Sequence, residues 1–216
     1  MLKSKNSSSN GTFGSSSHAM RIDPKFLPGH STRAVEALAE AFDARSIRYA
    51  LIGGLASILR GRPRFTKDVD FLLEIPQVIL PVLLDDLVER GFALDPVTVI
   101  KQFVREHVAS FPFGNVRIDW LKPVLPLYSR ALADATPLEW TEGHMVRVAT
   151  AEGLILSKMV AFRPQDQMDI ETLLTANRDT IDITLIREEW SPFAATEAER
   201  TAWLEAVIAR RVVRRE

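Results

Sequence analysis

Two glycines, Gly53 and Gly54, separate the apolar segment RYALI from the segment LASILR, and they constrain the fold more than any other feature of the chain. The apolar segment predicts a short strand, and the glycines end it. Because glycine has no Cβ, the chain can turn there directly into a helix, and the N–H groups at the helix start stay open to an anion. A Gly-Gly turn alone is weak evidence for an anion site, since glycine is typical of any tight turn.

The segment KDVDFLLEI, some fifteen residues after the turn, places Asp68 and Asp70 at the start of a second apolar strand. Alternate side chains of a strand share a face, so both carboxylates point one way while Val69 and Phe71 point into the core. Like charges so close raise each other's cost of ionisation, and a divalent cation removes that cost. D-x-D at a strand start is also often a solvated edge, and the Gly-Gly turn upstream favours the metal interpretation.

A third strand-borne carboxylate, Asp119, follows in the segment VASFPFGNVRIDWL, which predicts a β-hairpin around Gly114. In its second strand Val116 and Ile118 fall on one face and Asp119 on the other. If this strand neighbours the D-x-D strand, the three carboxylates can hold two metal ions about 3.5–4 Å apart, which clamp the attacking and leaving oxygens of an in-line displacement. The combination is typical of phosphoryl transfer.

The order of predicted elements indicates an α/β (α+β) protein. Strands and helices alternate up to about Thr150, and helices dominate afterwards. We therefore expect residues 21–150 to form a core with a mixed sheet flanked by helices, and residues 151–216 to form a helical part packed on it. Residues 1–20, rich in Ser, Asn and Gly, are predicted to be a disordered, vector-derived tail.

Composition excludes several classes of protein. The chain has 216 residues and no cysteine, so neither a disulfide framework nor a thiolate metal site is available, and a reducing compartment such as the cytoplasm is expected. No segment approaches the roughly 20 apolar residues that span a bilayer, which predicts a soluble protein without a membrane partner. The formal net charge of −1 indicates neither an acidic nor a basic partner.

The segment LIGGLASILRGRPRFTKDVDFLL resembles the signature of the minimal nucleotidyltransferases of the DNA polymerase β superfamily, above all their AbiEii/AbiGii toxin-like branch. That signature is an apolar strand, Gly-Gly, a helix, and then Arg-x-Thr-x-Asp-hydrophobic-Asp. A second segment, TAEGLILSKMVAFRPQDQMDIETLL, is similar to the branch's downstream pattern of a helix with Lys, then Arg, then two Asp residues on the next helix. The resemblance covers roughly Tyr49 to Leu174.

The resemblance implies roles for individual positions. Asp68 and Asp70 would bind Mg²⁺ or Mn²⁺, and Asp119 would bind a second ion or accept the proton of the acceptor hydroxyl. With Lys158 as the phosphate-contacting lysine, these are the implied catalytic residues. The implied nucleotide-contacting positions are Gly53, Gly54, Ser57, Arg64, Thr66, Lys158 and Asp169, with Asp166 as the weaker alternative to Asp169. Many members carry Ser or Thr where this chain has Leu55, and Ser57 lies one step further along the helix.

Two further basic features stand beside this site. Lys158 lies on the apolar stripe of its helix, and an inward ammonium needs a partner, which a phosphate, Asp119 or Asp169 could supply. The alternative is a lysine whose stem packs while its amine reaches water. Around the loop before the D-x-D strand, Arg60 and Arg62 could steer a triphosphate or an RNA acceptor, but both are predicted to be solvated loop charges.

The function that the resemblance implies is transfer of a nucleoside monophosphate from an NTP to a hydroxyl, with release of pyrophosphate. Within the branch, this is the toxin of a bacterial toxin–antitoxin pair, which acts on RNA, including the tRNA 3′ end, or on a protein hydroxyl, and has a cognate antitoxin. One alternative is nucleotidylation of a small molecule, as in aminoglycoside-modifying relatives. Another is a D-x-D glycosyltransferase, against which the Gly-Gly turn argues. The third is a degenerate, non-catalytic nucleotide-binding module, which Leu55 suggests.

Overall fold

The computed structural model describes residues 29–62 and 65–212, with side chains up to residue 210. The predicted tail at residues 1–20 and the predicted contact residue Arg64 lie outside the described residues. The strands are β1 (Arg48–Ile52), β2 (Asp68–Glu74), β3 (Val108–Phe113), β4 (Val116–Leu121), β5 (Thr136–Thr141) and β6 (His144–Val148). The helices are α1 (Gly29–Asp43), α2 (Gly53–Arg60), α3 (Leu80–Glu89), α4 (Pro96–Arg105), α5 (Pro126–Ala133), α6 (Ala151–Ala161), α7 (Pro164–Ala176), α8 (Ile183–Trp190) and α9 (Ala198–Val212), with a 3₁₀ turn at Ser191–Phe193. None of the helices within the described residues is long and apolar enough to cross a membrane.

The described strands form one mixed sheet in the order β3-β4-β2-β1-β6-β5. β2 runs parallel to β4 and antiparallel to β1, and β1 runs parallel to β6. The hairpin β3–β4 stands at one edge and the hairpin β5–β6 at the other. The predicted mixed sheet flanked by helices is confirmed, and so is the helical character of the chain after Thr150.

One face of the sheet is closed by aromatic packing. Phe71 on β2 and Trp120 on β4 have no exposed surface, and the ring of Phe42 on α1 lies 5.5 Å and 5.7 Å from theirs. Burying a side chain of this size contributes about 1.5–3 kcal/mol to folding. Because side chains alternate along a strand, this packing turns the carboxylates of β2 and β4 toward the opposite face, on the side of α2 and α5.

The turn between α6 and α7 shapes the helical side of the site. Phe162 ends α6 with a left-handed backbone, φ 51°, and its ring packs edge-on against Trp203 of α9 at 5.2 Å. Pro164 then begins α7, as its fixed φ favours. The backbone N–H of Arg163 donates to the Asp166 carboxylate at 3.1 Å and caps the new helix. The cap therefore directs Arg163 and Asp166 toward the end of α6.

Arg60 has a structural role that the sequence analysis did not predict. Its guanidinium donates to the backbone carbonyls of Ala149 at 3.1 Å and Val148 at 3.3 Å, and to the Thr136 hydroxyl at 2.5 Å. The interpretation of Arg60 as a solvated loop charge is wrong, because these bonds join the end of α2 to β6 and the start of β5.

Candidate active site

The parallel pairing of β2 and β4 brings the predicted carboxylates to one end of the sheet. Asp70 is the register partner of Asp119, and Asp68 is the partner of Arg117. Register partners in neighbouring strands project from the same face, so all three aspartates lie on the face opposite the aromatic core. The expectation that the Asp119 strand neighbours the D-x-D strand is confirmed.

The backbone of Gly53 passes close to the side chain of Asp70. Its φ is +67°, in the region that favours glycine, and a Cβ on Gly53 would lie 2.9 Å from the Asp70 Cβ and overlap the carboxylate. The backbone N–H of the next residue, Gly54, acts to lower the pKa of that carboxylate. The diglycine turn therefore makes room for an aspartate, in addition to leaving the start of α2 free of side chains.

Asp119 is held by two donors that converge on one oxygen. The Ser110 hydroxyl donates to Asp119 Oδ1 at 2.5 Å, and Arg117 Nε donates to the same atom at 2.9 Å. The Asp119 side chain is 15% exposed, whereas that of Arg117 is 63% exposed. The carboxylate is thus mostly buried, while the guanidinium approaches it from the solvent side.

Lys158 is a buried ammonium with two carboxylate partners. Its side chain is 7% exposed, and Nζ lies 2.6 Å from Asp169 Oδ2 and 3.4 Å from Asp166 Oδ1. Asp169 was one of its predicted partners and is confirmed, and the alternative of a lysine that reaches water is wrong. The two carboxylates offset the cost of burying the Lys158 side chain away from bulk solvent.

Nearby cations neutralise the carboxylates on the helical side of the site more fully than those on the sheet side. Burial, followed by the negative charges of Asp119 and Asp68, raises the pKa of Asp70 from its ordinary 3.8 to about 7, against the opposing effects of Lys158 and the Gly54 N–H. Burial also acts to raise the pKa of Asp166, but the Arg163 hydrogen bond and the Lys158 charge bring it below the ordinary value. The strand side therefore carries negative charge that protein cations do not fully compensate.

A cavity of about 430 Å³ lies between these two sides. Its walls include Asp68, Asp70, Asp119, Gly53 and Gly54 from the sheet side, Thr66 from the preceding loop, and Lys158, Arg163 and Asp166 from α6 and α7. Its volume falls in the range of ligand pockets, about 300–1,000 Å³. Another cavity, of about 470 Å³, lies along α7 between Arg62 and Trp203 and is lined by none of the three aspartates.

Two predicted contact residues do not line the carboxylate cavity. Ser57 is buried, and its hydroxyl donates to the Gly53 carbonyl of its own helix at 2.8 Å. Asp169 stands behind Lys158, where Gln165 also donates to it at 3.3 Å. Both residues support neighbouring site residues in this structure.

The sequence analysis assigned no role to Ser110, which donates to Asp119, or to Arg117 and Tyr128, which line the cavity. Ser110 is the register partner of Asp119 in the β3–β4 hairpin, so the predicted hairpin around Gly114 and Asn115 could have located it. Arg117 shares the face of Asp119 by simple alternation. No sequence signal pointed to Tyr128, which α5 brings to the cavity.

The carboxylates fit a divalent cation in their chemistry. Within residues 29–62 and 65–210, no three acidic or histidine side chains form a ready-made metal-binding cluster. However, Asp70 lies beside two other carboxylates and is costly to ionise, which a cation would relieve. Carboxylate oxygens are also the ligands that Mg²⁺ and Mn²⁺ prefer.

Comparisons with known proteins agree with this chemistry. A family model described as "Nucleotidyl transferase AbiEii toxin, Type IV TA system" matches residues 35–215. No curated protein sequence matches the chain. Among solved structures, an antigenic nucleotidyltransferase-like protein from Paracoccidioides brasiliensis is similar, with 17% identity and a TM-score of 0.49 over 82% of this chain and 93% of that one. The antibiotic-resistance factor ANT(2″)-Ia is similar with 19% identity and a TM-score of 0.44, over 81% and 95% of the two chains.

Proposed function

The chain belongs to the AbiEii nucleotidyltransferase toxin family, and on this premise we propose that it transfers a nucleoside monophosphate from an NTP to a hydroxyl of RNA or protein. The observation that carries the proposal is the register of β2 and β4, which pairs Asp70 with Asp119 beside the Gly53-Gly54 turn. In the reaction, the acceptor oxygen bonds to the α-phosphorus, the bond from that phosphorus to the bridging oxygen breaks, and pyrophosphate leaves.

Nucleotidyltransferases of this fold generally use a divalent metal, and we assign Asp68, Asp70 and Asp119 as its ligands here. When bound, Mg²⁺ or Mn²⁺ neutralises charge on the triphosphate and on the carboxylates. The support for these ligands is their shared face and the unfavourable ionisation of Asp70 when no cation is near.

We assign the helical side of the cavity to the triphosphate. Lys158 has three N–H donors, and Asp169 and Asp166 accept from it, which leaves donor capacity for a phosphate oxygen. Arg163 brings a second, exposed cation to the same wall. Thr66 lines the cavity next to the D-x-D strand and is the hydroxyl in a position to contact the nucleotide in place of the one missing at Leu55.

We assign Asp119 to the acceptor hydroxyl. Its Oδ1 already accepts two hydrogen bonds, so Oδ2 is the atom that takes the proton as the acceptor oxygen attacks. The hydrogen bond from Ser110 fixes the carboxylate in place for that step. Because Oδ1 is engaged, the rotation of the carboxylate is restricted.

A polyanionic acceptor suits the mouth of the cavity better than an aminoglycoside does. Arg117 and Arg163 are 63% and 75% exposed in their side chains and stand at the cavity wall. Guanidinium groups bind phosphate well and repel a cationic aminoglycoside. Together with the family description, this supports RNA, including a tRNA 3′ end, as the acceptor, and the toxin half of a cytoplasmic toxin–antitoxin pair as the biological role.

The test is label transfer from a panel of α-³²P-NTPs into total RNA, protein and aminoglycosides with Mg²⁺ or Mn²⁺. We expect labelled RNA from the wild type, a loss of label with Asp70→Asn and Asp119→Asn, and full label with the exposed control Asp85→Asn. Label only in aminoglycosides would favour the small-molecule alternative. NTP binding without transfer to any acceptor would favour the non-catalytic module.

A further inference from the structure

Arg117 donates to the carboxylate of Asp119, which the proposed function assigns as a metal ligand. Its Nε lies 2.9 Å from Asp119 Oδ1, and its Nη2 lies 3.3 Å from the Ser110 hydroxyl, which itself donates to the same oxygen. A carboxylate oxygen that accepts two hydrogen bonds has little capacity left for a cation. Asp119 therefore stands in the site with its negative charge already partnered.

The geometry makes this partnership easy to break. Arg117 and Asp119 are two residues apart on one strand, so the long arginine side chain folds back over its own strand to reach the carboxylate. With 63% of its side chain exposed, the guanidinium can leave for water at little cost. Its register partner is Asp68, so a displaced guanidinium stays at the edge of the cavity.

We propose that the Arg117 guanidinium partners the Asp119 carboxylate while no metal is bound. It then competes with the divalent metal for that carboxylate. The inference rests on the proposed function, because it needs Asp119 to be a metal ligand. Arg117 is then a positioning residue that lowers the affinity of the empty site for free metal. Arg117 would release Asp119 when a metal ion and NTP bind, and its guanidinium would stay at the edge of the cavity.

The inference predicts that removing Arg117 tightens metal binding. Free Mn²⁺ is titrated into the full chain without nucleotide and followed by its electron paramagnetic resonance signal. We expect Arg117→Gln to bind Mn²⁺ about two- to fivefold more tightly than the wild type, the range that corresponds to an exposed ion pair. Asp119→Asn should weaken binding. A residue that merely supported the fold would weaken metal binding when removed.

The matched control is Arg48→Gln. Arg48 is 59% exposed, pairs with Glu74 at 2.6 Å, and lies at the end of β1 opposite Gly53, so its loss changes the net charge equally without touching the site. We expect Mn²⁺ affinity to stay unchanged in this variant. Equal tightening by Arg48→Gln and Arg117→Gln, or no tightening by Arg117→Gln, would overturn the inference.

Two further measurements separate the possible failures. If circular dichroism shows that Arg117→Gln does not fold, Arg117→Lys is used in its place, because lysine has no donor at the Nε position. Tighter Mn²⁺ binding by Arg117→Lys than by the wild type supports the inference. Equal or weaker binding overturns it. Metal-dependent label transfer is measured in the same preparations. If the wild type transfers label and Arg117→Gln binds Mn²⁺ no more tightly, the inference about Arg117 fails while the proposed function stands.

Discussion

The Asp70 carboxylate occupies the space that a side chain on Gly53 would need. Gly53 therefore meets two requirements, a left-handed backbone and a close approach, whereas most turn glycines meet only the first. The relationship joins the two sequence motifs of the site, Gly-Gly and D-x-D, at atomic contact.

Gly53→Ala is expected to destabilise the protein more than Gly143→Ala. Gly143 has a similar φ of +78° but open space around its missing Cβ, so its substitution carries only the backbone cost, about 1–2 kcal/mol. At Gly53, displacement of Asp70 adds about 1–3 kcal/mol. Urea unfolding of both variants measures the difference. Equal losses of stability would show that Asp70 moves aside freely.

The pKa of Asp70 makes stability depend on pH in a defined direction. Between pH 3.8 and about 7 the folded protein keeps a proton that the unfolded chain has lost, so the wild type loses stability as the pH rises through this window. Asp70→Asn has no such proton, and its stability relative to the wild type should rise by about 2–4 kcal/mol between pH 4 and pH 8.

Unfolding midpoints of Asp70→Asn and the wild type across this pH range test the expectation in metal-free buffer. Added Mg²⁺ at pH 8 should stabilise the wild type and leave Asp70→Asn almost unchanged, because the cation removes the cost of ionising Asp70. A constant difference between the two proteins from pH 4 to pH 8 would contradict the raised pKa.

The buried Lys158 pair should be far more sensitive to substitution than a surface pair. Lys158→Met leaves the carboxylates of Asp166 and Asp169 without their buried cation, and a loss of about 3–5 kcal/mol is expected. Arg130→Met, which breaks an exposed pair with Asp134, should cost about 1 kcal/mol or less. Chemical denaturation of both variants provides the comparison, and similar losses would refute the buried-pair interpretation.

Arg60 and Arg62 offer a second contrast, between a structural and an exposed arginine two positions apart. Arg60→Ala removes hydrogen bonds to two buried backbone carbonyls and should cost about 1–3 kcal/mol. Arg62→Ala, at an exposed position, should stay within about 0.5 kcal/mol. Thermal unfolding measures the loss of stability in both variants. An Arg60→Ala variant as stable as the wild type would show that these bonds contribute little.

Much of the site could be predicted because it follows from local rules. Alternation along β2 fixed the common face of Asp68 and Asp70, and the hairpin pattern fixed the face of Asp119. The cost of an unpaired buried ammonium predicted that Lys158 needs a partner, and Asp169, one of the three partners considered, supplies it. These inferences need only periodicity and charge.

The remaining features depend on contacts that no local rule determines. The Ser57 hydroxyl donates to a carbonyl of its own helix, and the Arg60 guanidinium donates to a carbonyl nearly ninety residues away in sequence. Alternation along β4 places Arg117 on the same face as Asp119. Their contact, however, depends on a rotamer that folds the arginine side chain back over the strand. Side-chain direction and long-range packing decide these cases.

One side of the cavity wall comes from α6, α7 and the turn between them, which follow the boundary expected at Thr150. The sheet side contributes Asp68, Asp70 and Asp119, and the helical part contributes Lys158 and Arg163, so neither part forms the whole charged wall. A fragment that ends at Thr150 would carry an acidic wall facing solvent, with no basic counterpart opposite it. The cavity therefore forms only where the segments before and after Thr150 pack against each other.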